Sequence, residues 1–312
     1  MNGQWSLFEG SNPLKIDKPI RLIELFAGYG SQALSLKYLG VPFEHWHISE
    51  WAVKSIQAYK DMHFDDDTDY SQGMSDEEVI DFLDGKISSD YNTPLKREQI
   101  KRIKYRTVYN NMMASHNVGS IVTAKGSDFE ITNTDKYTYI LTYSFPCQSI
   151  SNAGLREGMA DTSTRSGMLW HVQRLLEEVD ELPQILLMEN VPAVCGSANI
   201  ADFAKWCTFL ESLGYTNKYQ ILNATDYGVP QNRERCFMVS WLGDYYYDFP
   251  LPIPLTKRLK DVLEPVVDER YYLSEETIKS LQLHKERNEQ NGDICPTLTT
   301  SGNIVRIELW NI

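Results

Sequence analysis

The stretch PIRLIELFAGYGSQALSLKYLG, residues 19–40, decides how the chain is read. PIRLIELF is a short apolar run that fits a buried strand, and SQALSLKYLG fits a helix closed by Gly40. Between them Gly28 and Gly30 stand where strand hands over to helix, a place where backbone turns tightly and approaches a ligand closely. The dinucleotide fingerprint G-x-G-x-x-G would ask for a third glycine at position 33, which is Ala33. EHWHISE, residues 44–50, reads as the next strand and WAVKSIQAYK as the next helix. Glu50 thus ends the second strand about 20 residues past the glycines, where a carboxylate reaches the hydroxyls of a ribose. Trp51 beside it offers a flat apolar face for an adenine. Without the third glycine and without a basic cluster for a pyrophosphate, this pattern suits S-adenosylmethionine at least as well as NAD.

Working outward, the alternation continues. YTYILTYSF (137–145), QILLMENV (184–191), KYQILNA (218–224) and RCFMVSWLG (235–243) read as strands. GMLWHVQRLLEEV and ADFAKWCTFLESLGY read as the helices between them. Such alternation predicts an α/β sheet with helices on both faces. A long insert, about 62–118, separates the second helix from the 137 strand. Its acidic half holds a capping box, Ser75 with Glu78, before Val79, Ile80, Phe82 and Leu83. Its basic half, TPLKREQIKRIKYR, offers Thr93 and Pro94 as a helix start. The six basic residues there (Lys96, Arg97, Lys101, Arg102, Lys104, Arg106) form either a phosphate-contacting or a solvated face. After residue 243 the Tyr- and Pro-rich DYYYDFPLPIPL breaks the pattern, so 1–243 is expected to be a cofactor-binding catalytic domain and 244–312 a second, smaller region.

Composition bounds the possibilities. The 312 residues, 42% hydrophobic and 23% charged, are ordinary for a globular protein, and no apolar run reaches the roughly 20 residues that span a bilayer. No secretory signal is visible in MNGQWSLFEGSNPLK. Five widely spaced cysteines, never as C-x-x-C, predict a reducing, cytoplasmic setting with neither disulfides nor a metal site. A net charge of -13 argues against coating nucleic acid by bulk electrostatics, though not against a locally basic cleft.

Several short motifs recur in one order. FAGYGS (26–31), SEW (49–51), PCQS (146–149), ENV (189–191) and QNRER (231–235), with LNATDYGVPQ leading into the last, resemble the motifs of the cytosine-5 DNA methyltransferases over residues 20–243. The resemblance implies a Rossmann-like S-adenosylmethionine-dependent methyltransferase sheet, double-stranded DNA as partner and a restriction-modification or phage-type setting. It places Cys147 as the nucleophile that adds to carbon 6 of cytosine, because carbon 5 is too poor a nucleophile unless electron density is pushed to it. Glu189 is implied at ring nitrogen 3, Arg235 at oxygen 2, and Arg233 as a brace for a loop or phosphate. Because 233 and 235 are two apart, a shared strand would project both to one face. Cofactor contacts are implied for Phe26, Ala27, Gly28, Gly30, Ser31, Glu50, Trp51, Ser120, Ile121, Pro146 and Leu169. Closure over a flipped nucleotide is implied for Gln148, Ser149, Ser151, Asn190 and Val191.

Two departures qualify the resemblance. NVGSIV (117–122) offers Ser120 where the family often has an acid for the adenine amino group. Near the end, Gly302-Asn303 imitates a late cofactor motif, but too little chain precedes it for a full recognition region, so 244–312 is expected to be a partial one. That expectation leaves open a truncated copy, a fragment, or a split enzyme completed by a second polypeptide. Methylation of transfer RNA is the nearest alternative activity, and a cofactor- or DNA-binding protein without turnover the alternative from another class.

Overall fold

The computed structural model describes residues 12–146, 166–268, 272, 274–276 and 293–296. The described residues of Met1–Gln220 and Cys236–Asp248 form one compact unit, and those of Ile221–Arg235 and Phe249–Ile312 a second.

β1 (Ile20–Leu25) and β3 (Thr138–Tyr143) are the apolar runs of the sequence, and all of their side chains but Arg21 are buried, as central parallel strands covered on both faces require. β2 (Phe43–Ser49) and β4 (Ile185–Asn190) complete the parallel part. β5 (Tyr215–Asn223) and β7 (Glu234–Leu242) extend the sheet, whose order is β2-β1-β3-β4-β7-β5. β7 runs antiparallel to β4. Since β1 pairs with β2 on one side and β3 on the other, the strand order reverses direction at β1. Ligands of open α/β sheets settle outside the carboxyl ends at such a switch point.

The helices include α1 (Ser31–Tyr38), α2 (Val53–His63), α6 (Leu169–Glu178) and α7 (Ile200–Ser212). Leu169, Val172, Leu175 and Leu176 of α6, and Phe203, Trp206 and Leu210 of α7, join Leu141, Leu186, Met188 and Met238 in the main core. Trp206 is fully buried, and its indole N–H donates to Tyr143 Oη at 3.0 Å, which removes the cost of burying both polar atoms.

The insert carries α3 (Asp76–Leu83), α4 (Arg97–Ile100) and α5 (Tyr105–Ala114) around its own core of Val79, Ile80, Leu83, Leu95, Ile100, Val108 and Met112. The Ser75–Glu78 capping box forms as expected. The helix start at Thr93-Pro94 does not. Asp90 accepts from the backbone N–H groups of Asn92 and Thr93, and Leu95 N–H donates to Ile87 O, so the chain is committed to a loop until Arg97. The basic face is also compensated from within. Arg97 pairs with Glu77 (2.6 Å), Asp81 and Asp84, Lys101 with Glu77 and Glu98, and Arg106 with Asp76. Three of the six cations thereby face acids of this same insert.

In the second unit, β6 (Gln231–Asn232) pairs in parallel with β8 (Cys295–Pro296), and Tyr227 bridges to Ile253. Gly302-Asn303 falls outside the described residues. No described helix is long and apolar enough to cross a membrane.

Packing of this kind makes the core intolerant of cavities. Leu186→Ala, at a position with no exposed surface, is expected to cost about 2–5 kcal/mol in urea unfolding, whereas Tyr38→Ala, at a position 82% exposed, should stay within about 0.5 kcal/mol of the parent.

Candidate functional site

The strand registers put four chain ends side by side. Leu25 pairs with Ser49 on one side and Tyr143 on the other, and Tyr143 pairs with Met188. The residues that follow are therefore neighbours at one edge of the sheet: the glycine turn after β1, Glu50 and Trp51 after β2, Phe145 and Pro146 after β3, and Glu189 and Asn190 closing β4. Residues as far apart in the sequence as Gly28 and Asn190 are gathered by parallel pairing alone.

The glycine turn is held from below and from the side. Gly28 (φ 58°) and Gly30 (φ 81°) both occupy the left-handed region. A Cβ on Gly30 would run into the His63 and Tyr59 rings, whereas a Cβ on Gly28 would meet nothing within 4 Å, so open space lies over that part of the turn. Glu50, 7% exposed, accepts from Gly28 N–H at 2.8 Å and from Ala52 N–H at 2.6 Å. Burial raises its pKa, and the N–H groups of Ala52, Gly28 and Trp51 oppose that rise. A carboxylate has about four acceptor positions, so capacity remains for a further donor beside an open glycine turn. An acceptor of this kind next to unobstructed backbone fits the hydroxyls of a nucleoside such as S-adenosylmethionine.

Phe26 itself takes a positive φ of 57° and is partly buried against the main core. Ala27 is buried with its N–H on Ser49 O, and Ser31, exposed, donates to Gln32 Oε1. Trp51 is half-buried, and its carbonyl accepts from Ser88 N–H. Ser120 and Ile121 are both buried; Ser120 Oγ accepts from Val122 N–H at 3.3 Å and Ile121 packs in the main core. Leu169 is fully buried in that core, at the start of α6.

At the ends of β3 and β4, Asn190 Nδ2 donates to Phe145 O at 3.0 Å, and Asn190 Oδ1 accepts from Val191 N–H at 2.9 Å. Read from sequence as a DNA contact, Asn190 is instead 3% exposed, with both ends of its amide engaged inside the chain. It ties the segment that leads into Cys147 to the strand that carries Glu189. Glu189, Val191 and Pro146 are half-buried. Cys147, Gln148, Ser149 and Ser151 lie outside the described residues.

Arg233 and Arg235 belong to the second unit. They do not share a strand as expected. Arg233 falls in the one-residue break between β6 and β7, because its N–H donates to Asn223 Oδ1 (3.1 Å) and its carbonyl accepts from Ala224 N–H (3.0 Å). Arg235 stands in β7, half-buried, and donates to Glu234 O.

Beneath the glycine turn lies a further polar layer that no local motif marks. Glu24, buried, accepts from Ala33 N–H (3.1 Å) and from Tyr59 Oη (2.6 Å), which links β1 to the first turn of α1 and to α2. With the tyrosine proton on Glu24, His45 Nδ1–H donates to Tyr59 Oη at 3.1 Å. Lys37 Nζ donates to His63 Nδ1 (3.0 Å), which fixes the tautomer, and His63 Nε2–H donates to Tyr29 O (2.8 Å) within the turn. An acid inside the apolar run PIRLIELF was the available signal, since an unpaired carboxylate there would be prohibitive.

The C-5 cytosine-specific DNA methylase family model matches residues 88–309. The chain is 38% identical over 263 residues to the type II methyltransferase M2.ScrFI of Lactococcus lactis subsp. cremoris, covering 81% of this chain and 70% of that one. The chain belongs to the C-5 cytosine-specific DNA methylases. A second member, the orphan methyltransferase M.SssI of Spiroplasma monobiae, is 37% identical over 271 residues, covering 82% of this chain and 68% of its own. This DNA methylase also shares its fold with the Dnmt2 methyltransferase of S. pombe (TM-score 0.54, 17% identity, 86% of this chain and 66% of that chain). The same holds for the methyltransferase EhMeth of Entamoeba histolytica (TM-score 0.53, 16% identity, 84% and 65%). The chain thus spans about two thirds of the length of each of these relatives.

The layer under the turn gives the methylase a pH dependence. Burial, then Lys37, His63 and His116, lower the His45 pKa from 6.5 to about 3, and its Nε2 is buried without an acceptor for a second proton. Between those values the unfolded chain binds a proton that the folded chain refuses, so this group's contribution to stability falls as pH drops from 6.5 toward about 3. Glu24 and Glu50, raised by burial, act with the opposite sign. His45→Gln should therefore lose less stability than the parent between about pH 7.5 and pH 5 in denaturant titrations, the difference isolating the histidine.

Proposed function

We propose that this protein transfers a methyl group from S-adenosylmethionine to carbon 5 of cytosine in double-stranded DNA, as part of a restriction-modification or phage-type system. The observation that carries the reading is the convergence, at the carboxyl edge around the β1 switch point, of the glycine turn, Glu50, the Phe145-Pro146 lead into Cys147, and Glu189. Family membership through type II DNA methyltransferases supports it.

S-adenosylmethionine supplies an electrophilic methyl group. Gly28, Gly30, Glu50 and Trp51 would hold its nucleoside, with Glu50 accepting from the ribose hydroxyls and Ile121 closing the adenine side. Ser120, in place of an acid, would give the adenine amino group a neutral acceptor. Cys147, as thiolate, forms the bond to carbon 6 of a cytosine extruded from the duplex, and the displaced electron pair makes carbon 5 nucleophilic. Glu189 holds a proton at ring nitrogen 3, and Arg235 donates to oxygen 2, so that charge building on the ring is met by fixed donors. Once carbon 5 carried the methyl group, its proton would pass to solvent and the C–H electron pair would re-form the 5,6 double bond, expelling the Cys147 thiolate from carbon 6. Gln148, Ser149 and Ser151 follow the nucleophile and are read as closing over the flipped nucleotide. The segment from 244 onward is read as belonging to a target-recognition region.

Cys147→Ser is expected to abolish incorporation of tritiated methyl groups into DNA and to abolish covalent trapping on DNA carrying 5-fluorocytosine. Trapping that persists in this variant would refute Cys147 as the nucleophile. Glu50→Ala should weaken S-adenosylmethionine binding in calorimetry by about tenfold or more, since a charged acceptor for two hydroxyls is removed; unchanged affinity would refute the ribose role.

A further inference from the structure

We infer that Asn117 is a positioning residue for the cofactor, acting through Glu50; the inference rests on the reading of Glu50 as the ribose acceptor. Beyond Ser49 the sheet gives the chain no strand neighbour on which to continue. The segment 116–118 instead runs parallel to the end of β2: Ile48 N–H donates to His116 O (3.1 Å) and Val118 N–H to Ile48 O (2.9 Å). At Gly119 the backbone turns away with a φ of 83°, so no peptide unit is available for the next rung, at Glu50.

The Asn117 side chain supplies that rung. Its Oδ1 accepts from Glu50 N–H at 3.1 Å, and its Nδ2 donates to Glu50 O at 2.9 Å, so one amide serves both backbone polar groups of Glu50 as a neighbouring strand would. The same Oδ1 accepts from Gly119 N–H at 2.9 Å, and Ser49 Oγ donates to Gly119 O at 2.8 Å, which closes the arrangement on itself. Asn117 is 5% exposed, so each of these bonds is made away from water. Only an amide of this length carries both a donor and an acceptor across the gap; aspartate lacks the donor and serine the reach.

The consequence lies in where the Glu50 carboxylate sits. Glu50 is the first residue past β2, in the short connection to α2, and a loop residue there would wander in φ and ψ. With its N–H and C=O both fixed, its side chain leaves from a defined backbone and reaches Gly28 N–H and Ala52 N–H with the two carboxylate oxygens. An ångström of misplacement in such a contact can cost orders of magnitude in what it serves.

The test is a calorimetric titration of S-adenosylmethionine into the parent protein, Asn117→Ala, Glu50→Ala and the double variant, with thermal unfolding recorded for each. Asn117→Ala is expected to weaken binding about tenfold or more, and the double variant to bind within about twofold of Glu50→Ala, because removing the carboxylate leaves Asn117 nothing to position. In turnover, Asn117→Ala should raise KM for S-adenosylmethionine and leave KM for DNA unchanged. Binding within twofold of the parent, or single losses that multiply in the double variant, would overturn the inference while the cofactor site stands. A parent protein that does not bind S-adenosylmethionine would overturn the site itself. If Asn117→Ala does not fold, Asn117→Asp, which keeps the acceptor and removes the donor to Glu50 O, is held to the same outcomes.

Discussion

The Glu50 carboxylate, buried and bonded to backbone on both sides, is the constraint around which the described site is organised. An acid that is 7% exposed has to be satisfied on every lone pair that water cannot reach. Gly28 N–H and Ala52 N–H meet that demand, and in doing so they fix the glycine turn after β1 against the start of α2. Glu24 does the same one layer down, between Ala33 N–H and Tyr59 Oη. Two buried carboxylates thus clamp the helix-start region from above and below, and the left-handed conformations of Gly28 and Gly30 are what allow the backbone between them to turn.

That clamp explains why the edge can be rigid without being apolar. Helix packing covers the faces of β1 and β3 with leucine, valine and phenylalanine side chains, and the edge beyond carries amides, hydroxyls and acids whose partners are almost all backbone. Asn117 and Asn190 play matching parts there. One ties Glu50 to the 116–119 segment, and the other ties the end of β4 to Phe145, two residues before the nucleophile position. Both are buried amides that tie the end of a strand to a neighbouring segment.

The insert offers a contrast. Its basic run invites a reading as a phosphate-binding face, yet Arg97, Lys101 and Arg106 pair with acids of α3 and its neighbouring turn. Exposed pairs of this type contribute little individually, but they neutralise the local field that would draw in a polyanion. The acidic and basic halves of 62–118 are complementary to each other before they are complementary to anything else.

Much of this was legible from residues 19–50. Apolar runs of six to eight residues, with glycines between strand and helix, specify an α/β sheet, because buried strands and tight turns each admit few residue types. The Ser75–Glu78 cap was equally local, and it formed. What the sequence could not carry was anything decided by which segment lies beside which. Thr93-Pro94 looks like a helix start until Ile87 takes the Leu95 N–H, and Arg233 looks like a strand residue until Asn223 and Ala224 take its backbone. Asn117, His45 and His63 carry no local signature, and the ENV motif that holds Asn190 says nothing of its bond to Phe145. Their roles are set by partners up to 67 positions away, which only parallel pairing of β1 with β2 and β3, and the folding of α2 and the insert against that edge, bring within hydrogen-bonding distance.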